Sequence, residues 1–93
     1  MIKSFHCRET EKIFRRETSR KFPPHIHQRA FMRLNALDAA TQLEDLRLPT
    51  SNRLEALKGD RAGQWSIRIN EQWRVCFAWN DGHASHVEIC DYH

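Results

Sequence analysis

Seven side chains in the later part of this 93-residue chain have the types needed to break a phosphodiester: Lys58, Arg61, Arg68, Arg74, Asp91, Tyr92 and His93. Cleavage of RNA without a metal needs a base to take the 2′-hydroxyl proton, an acid to protonate the leaving 5′-oxygen, and cations around the crowded phosphorane. Arginine grips two phosphate oxygens through its planar fork, and two arginines facing each other on adjacent strands repel unless an anion sits between them. His93 ends the sequence, so a carboxylate beside its imidazole favours the protonated ring, which can donate near neutral pH. Tyr92 can stack on a base or orient a phosphate. Each has a plainer reading as well: Arg68 and Arg74 as independent solvated charges, Tyr92 as packing at a strand end, His93 as a frayed terminus.

Other chemistries find little support. His25, His27, His83 and His86 have no Cys or His partner at ligand spacing, and Cys7, Cys76 and Cys90 form no CxxC pair. The cysteines therefore read as reduced, mostly buried thiols, with neither a zinc site nor a disulfide framework. P-loop, GxGxxG, GxSxG and HExxH patterns are absent, so neither a metal nor a cofactor is expected.

The candidate residues fall where the pattern changes from helical to strand-like. Trp65/Ile67/Ile69, Trp73/Val75/Phe77/Trp79 and Val87/Ile89 alternate with period two, as half-buried antiparallel strands do, and Leu54 to Leu57 reads as a further short strand. The segment Lys58 to Gly63 is a polar loop. If the apolar sets are to stay on one side, the turn at Asn70-Glu71-Gln72 places Arg68 opposite Arg74, and the turn around Asn80-Asp81-Gly82 places Arg74 opposite Cys90. Arg68 and Arg74 then share the sheet face turned away from the helices. Strict alternation puts Asp91 and His93 on the core face, so the strand must end or twist free there.

The helices come first. Residues 2 to 5 can form a short strand, and Arg8 to Arg20 reads as a charged helix with Ile13 and Phe14 as its few anchors. Phe22-Pro23-Pro24 breaks it, and Pro24 is tolerated in the first turn of the next helix. Ile26, Ala30, Leu34 and Leu37 place one apolar stripe on that second helix, while Arg29 and Arg33 occupy other faces. Thr41-Gln42-Leu43-Glu44 fits a capping box opening one more turn, which Pro49-Thr50-Ser51-Asn52 ends. The expected fold is α+β, an N-terminal helical hairpin packed on one face of a small twisted antiparallel sheet, with residues 1–93 as a single domain.

The net charge of +3 conceals an asymmetry, because residues 1–33 hold nine Lys and Arg against three acids, and the remainder six against nine. The basic field of the first third can draw in a polyanion without reading its sequence, or it is simply a solvated helix face. No apolar run approaches the length of a bilayer span, and the start lacks the apolar stretch of a signal peptide, so no membrane association and a cytoplasmic location are expected.

Several segments carry a resemblance. Met1 to Phe5, the run Asn52-Arg53-Leu54-Glu55-Ala56-Leu57-Lys58-Gly59-Asp60-Arg61-Ala62-Gly63-Gln64-Trp65-Ser66-Ile67, the strand Trp73-Arg74-Val75-Cys76-Phe77 and the ending Asp91-Tyr92-His93 are similar to the HigB branch of the RelE/ParE toxin superfamily. The resemblance covers nearly the whole chain. It implies a RelE-like fold and ribosome-dependent endonucleolytic cleavage of messenger RNA in the decoding site, leaving a cyclic phosphate and a 5′-hydroxyl. It also implies a HigA-like helix-turn-helix antitoxin as partner, and operator DNA bound through the toxin–antitoxin complex. By the same resemblance, Asp91, Tyr92 and His93 match the terminal catalytic group, with Lys58 and Arg74 as transition-state and phosphate cations. Some relatives carry a histidine where this chain has Glu55, and a basic residue where it has Asn70. Asn70, Arg68 and Arg61 are therefore the candidate RNA contacts, and His93 is the leading acid. Two alternatives stay open, a ParE-like non-catalytic gyrase poison and a nucleic-acid-binding co-repressor component.

Overall fold

The alternating apolar positions build a four-stranded antiparallel sheet in the order β1-β2-β3-β4, formed by β1 Glu55–Ala56, β2 Gln64–Arg68, β3 Trp73–Asn80 and β4 His83–Asp91. These features come from a computed structural model that describes residues 1–91. Both register expectations hold: Arg68 pairs with Arg74 and Arg74 with Cys90. Asp81 and Gly82 join β3 to β4 with φ of 51° and 79°, the left-handed pair whose twist suits a two-residue hairpin.

One irregularity was not legible in the alternation. Cys76 pairs with Glu88 but Ala78 with Ser85, so β4 carries an extra residue, and His86 there has φ of 52°. Ala84 and Val87 are an odd number of residues apart, yet both are 0% exposed. The bulge allows both to face the core.

Two helices cover one face of the sheet, α1 Arg8–Phe14 and α2 His27–Ala39, the latter preceded by a single 3₁₀ turn opening on Pro24. The predicted stripe is the buried one: Ile26, Ala30, Leu34 and Leu37 pack with Ile13 and Phe22 against Ile67, Ile69, Val75, Phe77, Val87 and Ile89. Helix α1 stops at Phe14, well short of Arg20. Arg16 turns left-handed at φ of 61°, its guanidinium lies 4.2 Å from the Phe31 ring centroid, and the Ser19 hydroxyl donates to Glu9 at 2.8 Å. Beyond Phe14 no apolar residue continues the stripe, so nothing rewards further helix.

Three more expectations shift. The box after α2 lies one residue later, with the Asp45 carboxylate accepting the backbone N–H groups of Thr41 at 3.0 Å and Gln42 at 3.1 Å in place of Glu44. The strand expected over Leu54 to Leu57 is reduced to Glu55–Ala56, since only those residues find ladder partners on β2. Residues 2 to 5 do not form a full strand, and Ile2 and Phe5 make isolated parallel bridges to Ala84 and Val87 along the outer edge of β4. Among the described residues no helix is long and apolar enough to cross a membrane.

Candidate active site

Arg74 is the centre of the candidate site. Only 7% exposed, it occupies the sheet face opposite the helices. A buried guanidinium needs partners for its charge and its donors, and the sequence supplies them from three directions. Its Nε donates to the Ser66 Oγ at 2.7 Å across the β2–β3 ladder, one Nη donates to the Arg53 carbonyl, and the other lies 3.7 Å from the Glu55 carboxylate.

The wall carrying Arg53 and Glu55 is built from residues 46–55. Asn52, buried, donates its side-chain amide to the carbonyls of Leu46 at 3.2 Å and Leu48 at 3.4 Å, tying the loop to itself. Arg53 then adopts φ of 45° and presents its carbonyl to Arg74, and β1 follows with Glu55 opposite Ser66. Arg74 and Arg68 are thus not a bare pair of repelling cations. An internal carboxylate and carbonyl already hold Arg74, and a hollow of about 240 Å³ opens beside it between Arg53, Glu55, Arg68, Asn70, Glu71 and Arg74.

Asn70 lies at the turn bounding this hollow. Its Oδ1 accepts the backbone N–H groups of Gln72 at 2.9 Å and Trp73 at 2.8 Å, which closes the β2–β3 hairpin without using its amide nitrogen. Asp91 extends β4 opposite Trp73, one position from the Arg74–Cys90 pair, and is exposed at the strand end rather than turned into the core. Gln72 donates to its carboxylate at 3.1 Å. Tyr92 and His93 follow directly and lie outside the described residues.

Arg61 and Lys58 are placed differently. Arg61 pairs with Glu88 at 2.6 Å and donates to Gln64 at 3.2 Å, lining a separate hollow with His6, Asp60 and His86. Its bond to Glu88 raises its already high pKa, so this arginine is held by the protein itself. Lys58 is exposed between β1 and the 3₁₀ turn Gly59–Arg61, with no ion pair among the described residues. Near Arg61, the Cys76 and Cys90 thiols share one hydrogen bond, which raises the Cys90 pKa and lowers that of Cys76. Among the described residues no three His, Cys, Asp or Glu side chains converge as a metal ion would need.

Composition pointed to Arg74 but not to its retaining set of Ser66, Arg53 and Glu55. The signal was present in the register, because Ser66 sits two positions from Arg68 on the same strand face and so lies diagonal to Arg74.

An antiparallel sheet backed on one face by two helices is a fold this chain shares with solved structures. A chain of the YoeB–YefM complex from Staphylococcus aureus matches it with a TM-score of 0.61 at 21% identity, covering 100% of this chain and 98% of that one. A YoeB dimer structure from the same organism matches with a TM-score of 0.54 at 20% identity, covering 99% and 97%. At the sequence level, Endoribonuclease HigB of Proteus vulgaris is 36% identical over the full length of both chains. Toxin HigB-1 of Vibrio cholerae is 46% identical over 65 residues, 70% of this chain and 68% of that protein. A family model for HigB-like toxins, described as the RelE-like toxin of the type II toxin–antitoxin system HigB, matches residues 3–93, and the chain belongs to that family.

Proposed function

We propose that this toxin is a ribosome-dependent endoribonuclease that cuts messenger RNA in the decoding site and is neutralised by a HigA-like helix-turn-helix antitoxin. The observation that carries the reading is the preorganised Arg74, held by Ser66, Arg53 and Glu55 at the rim of an open polar hollow. A guanidinium fixed before substrate arrives stabilises the charge that develops on phosphorus without paying for reorganisation during the reaction. The substrate's 2′-oxygen attacks phosphorus as its proton passes to a base, and the 5′-oxygen leaves as it takes a proton from an acid. The products are a 2′,3′-cyclic phosphate and a 5′-hydroxyl. Glu55, the carboxylate beside Arg74, is the base in this scheme, and His93 the acid. Asp91 and Tyr92 orient the terminal group, Arg68 and the Asn70 amide hold flanking phosphate oxygens, and Lys58 adds positive charge at the rim. Arg61, already paired with Glu88, takes a lesser part. The complex with antitoxin binds operator DNA, and the site of action is the cytoplasm.

Mapping transcript ends after induction tests the scheme. New 5′-hydroxyl ends inside coding sequences are expected with the native chain. They should disappear in Arg74→Lys and Glu55→Gln while the variants keep their cooperative melting. DNA damage with intact transcripts would overturn the scheme in favour of a gyrase poison.

A further inference from the structure

A second concentration of positive charge lies around the corner from Arg74. Arg29 and Arg33, one turn apart on α2, line a cleft of about 580 Å³ with Ser51, Arg68, Asn70 and Gln72. Arg33 Nε donates to the Arg68 carbonyl at 2.8 Å and Arg29 Nη1 to the Ile69 carbonyl at 3.5 Å, so both helix arginines are tied to the end of β2. Among the described residues neither these two nor Arg68 pairs with a carboxylate, and Glu71 is the acid lining the cleft. Partial burial, and after it the neighbouring Arg29, hold Arg33 below its ordinary pKa.

The cleft and the Arg74 hollow share Arg68, Asn70 and Glu71, which makes them contiguous around the β2–β3 turn. We infer that the cleft is a second phosphate subsite, in which Arg29 and Arg33 hold a backbone phosphate of the same RNA strand whose scissile phosphate lies at Arg74. The inference rests on the endoribonuclease reading above. A strand already seated at Arg74 continues into the cleft without leaving polar surface. An acidic protein segment would lack the apolar anchors that carry most protein interfaces, since Ile69 is the apolar residue in the lining.

The test measures binding of cleavage-resistant 2′-O-methyl RNA, a trinucleotide and a decanucleotide, across a salt series. Arg29→Gln/Arg33→Gln should weaken the decanucleotide at least tenfold and make its log–log salt slope shallower by about 1.4, the value for two phosphate contacts on a single strand. The trinucleotide should be held as before, and Arg33→Lys, which keeps the charge, should retain most of the affinity. Arg8→Gln/Arg20→Gln removes the same net charge elsewhere, and an equal loss there would overturn the subsite in favour of a diffuse field. Unchanged decanucleotide affinity in the cleft variant overturns it too. If ribosome or antitoxin binding falls in that case, ribosomal RNA or an acidic partner is the occupant. A native chain that cuts transcripts but holds neither oligonucleotide overturns the subsite, and one that cuts no transcripts refutes the endoribonuclease reading itself. Cutting by the native chain with an indifferent cleft variant refutes only the subsite.

Discussion

Arg74 shows how few side chains are needed to convert a buried liability into a prepared cation. Ser66 gives it a neutral acceptor at 2.7 Å, the Arg53 carbonyl a second, and Glu55 a partial counter-charge at 3.7 Å that remains half exposed. These partners should separate in mutagenesis. Ser66→Ala leaves a donor of a buried charge unsatisfied and should cost about 1–3 kcal/mol in stability, read from denaturant unfolding, together with some activity. Glu55→Gln removes a long, solvent-accessible pair of the kind worth about 0–1 kcal/mol, so its stability should scarcely change. Its cleavage rate should fall by at least a hundredfold, within the range typical of a lost general base. A Glu55→Gln protein that melts early yet cuts normally would mean that Glu55 props the wall and takes no proton.

At the level of elements, the turns decide where the site residues land. Gly82 closes the β3–β4 hairpin at φ of +79°, and a Cβ there would meet the Thr41 carbonyl oxygen at 3.0 Å. Gly82→Ala therefore combines left-handed strain with a clash against backbone, and thermal melting should report a loss of about 1–3 kcal/mol. The Asp45 carboxylate lies below its ordinary value of 3.8 because the Gln42 and Thr41 N–H groups donate to it, and Glu9 lies below 4.5 because Ser19 and Lys12 do the same. A depressed carboxylate contributes stability that is full above its unfolded pKa and is lost as pH falls through the folded one. Melting temperature should thus decline with acidification below about pH 4.5, and the Glu9→Gln/Asp45→Asn variant should show a flatter acid limb. Legibility in the sequence follows the same division. The α2 stripe and the Arg68–Arg74–Cys90 register were readable because burial on one face enforces a strict period. The early stop of α1, the bulge at His86 and the displaced capping box depend on single left-handed residues or on which nearby carboxylate reaches the backbone, and periodicity carries no signal for these. Glu55 could be read as a departure from relatives but not as a partner of Arg74, because that contact needs the backbone turn at Arg53.

Over the whole molecule, the first residues complete the sheet. β4 would otherwise be an outer strand nine residues long, His83–Asp91, whose unpaired N–H and C=O groups invite another chain to pair with it. Residues 1–6 cover that edge in parallel: Lys3 N–H donates to Ala84 O at 2.7 Å, Val87 N–H to Ser4 O at 3.1 Å, and His6 N–H to Val87 O at 2.9 Å. Ile2 also donates its backbone N–H to Asp38 near the end of α2 at 2.9 Å, and the Phe5 ring centroid lies 5.7 Å from that of Phe14 on α1. The segment therefore ties both helices to the strand whose far end carries Asp91 and leads to Tyr92 and His93. Removing residues 2–5 strips two partly buried apolar side chains and the edge bonds of Lys3 and Ser4, about 3 kcal/mol in burial alone, which corresponds to a fall in melting temperature of over 10 °C for a chain of this length. The bared edge should also produce larger species on size exclusion, growing with protein concentration. A truncated chain that elutes and melts like the intact one would show that β4 holds its edge, and the terminal group beyond it, without this cover.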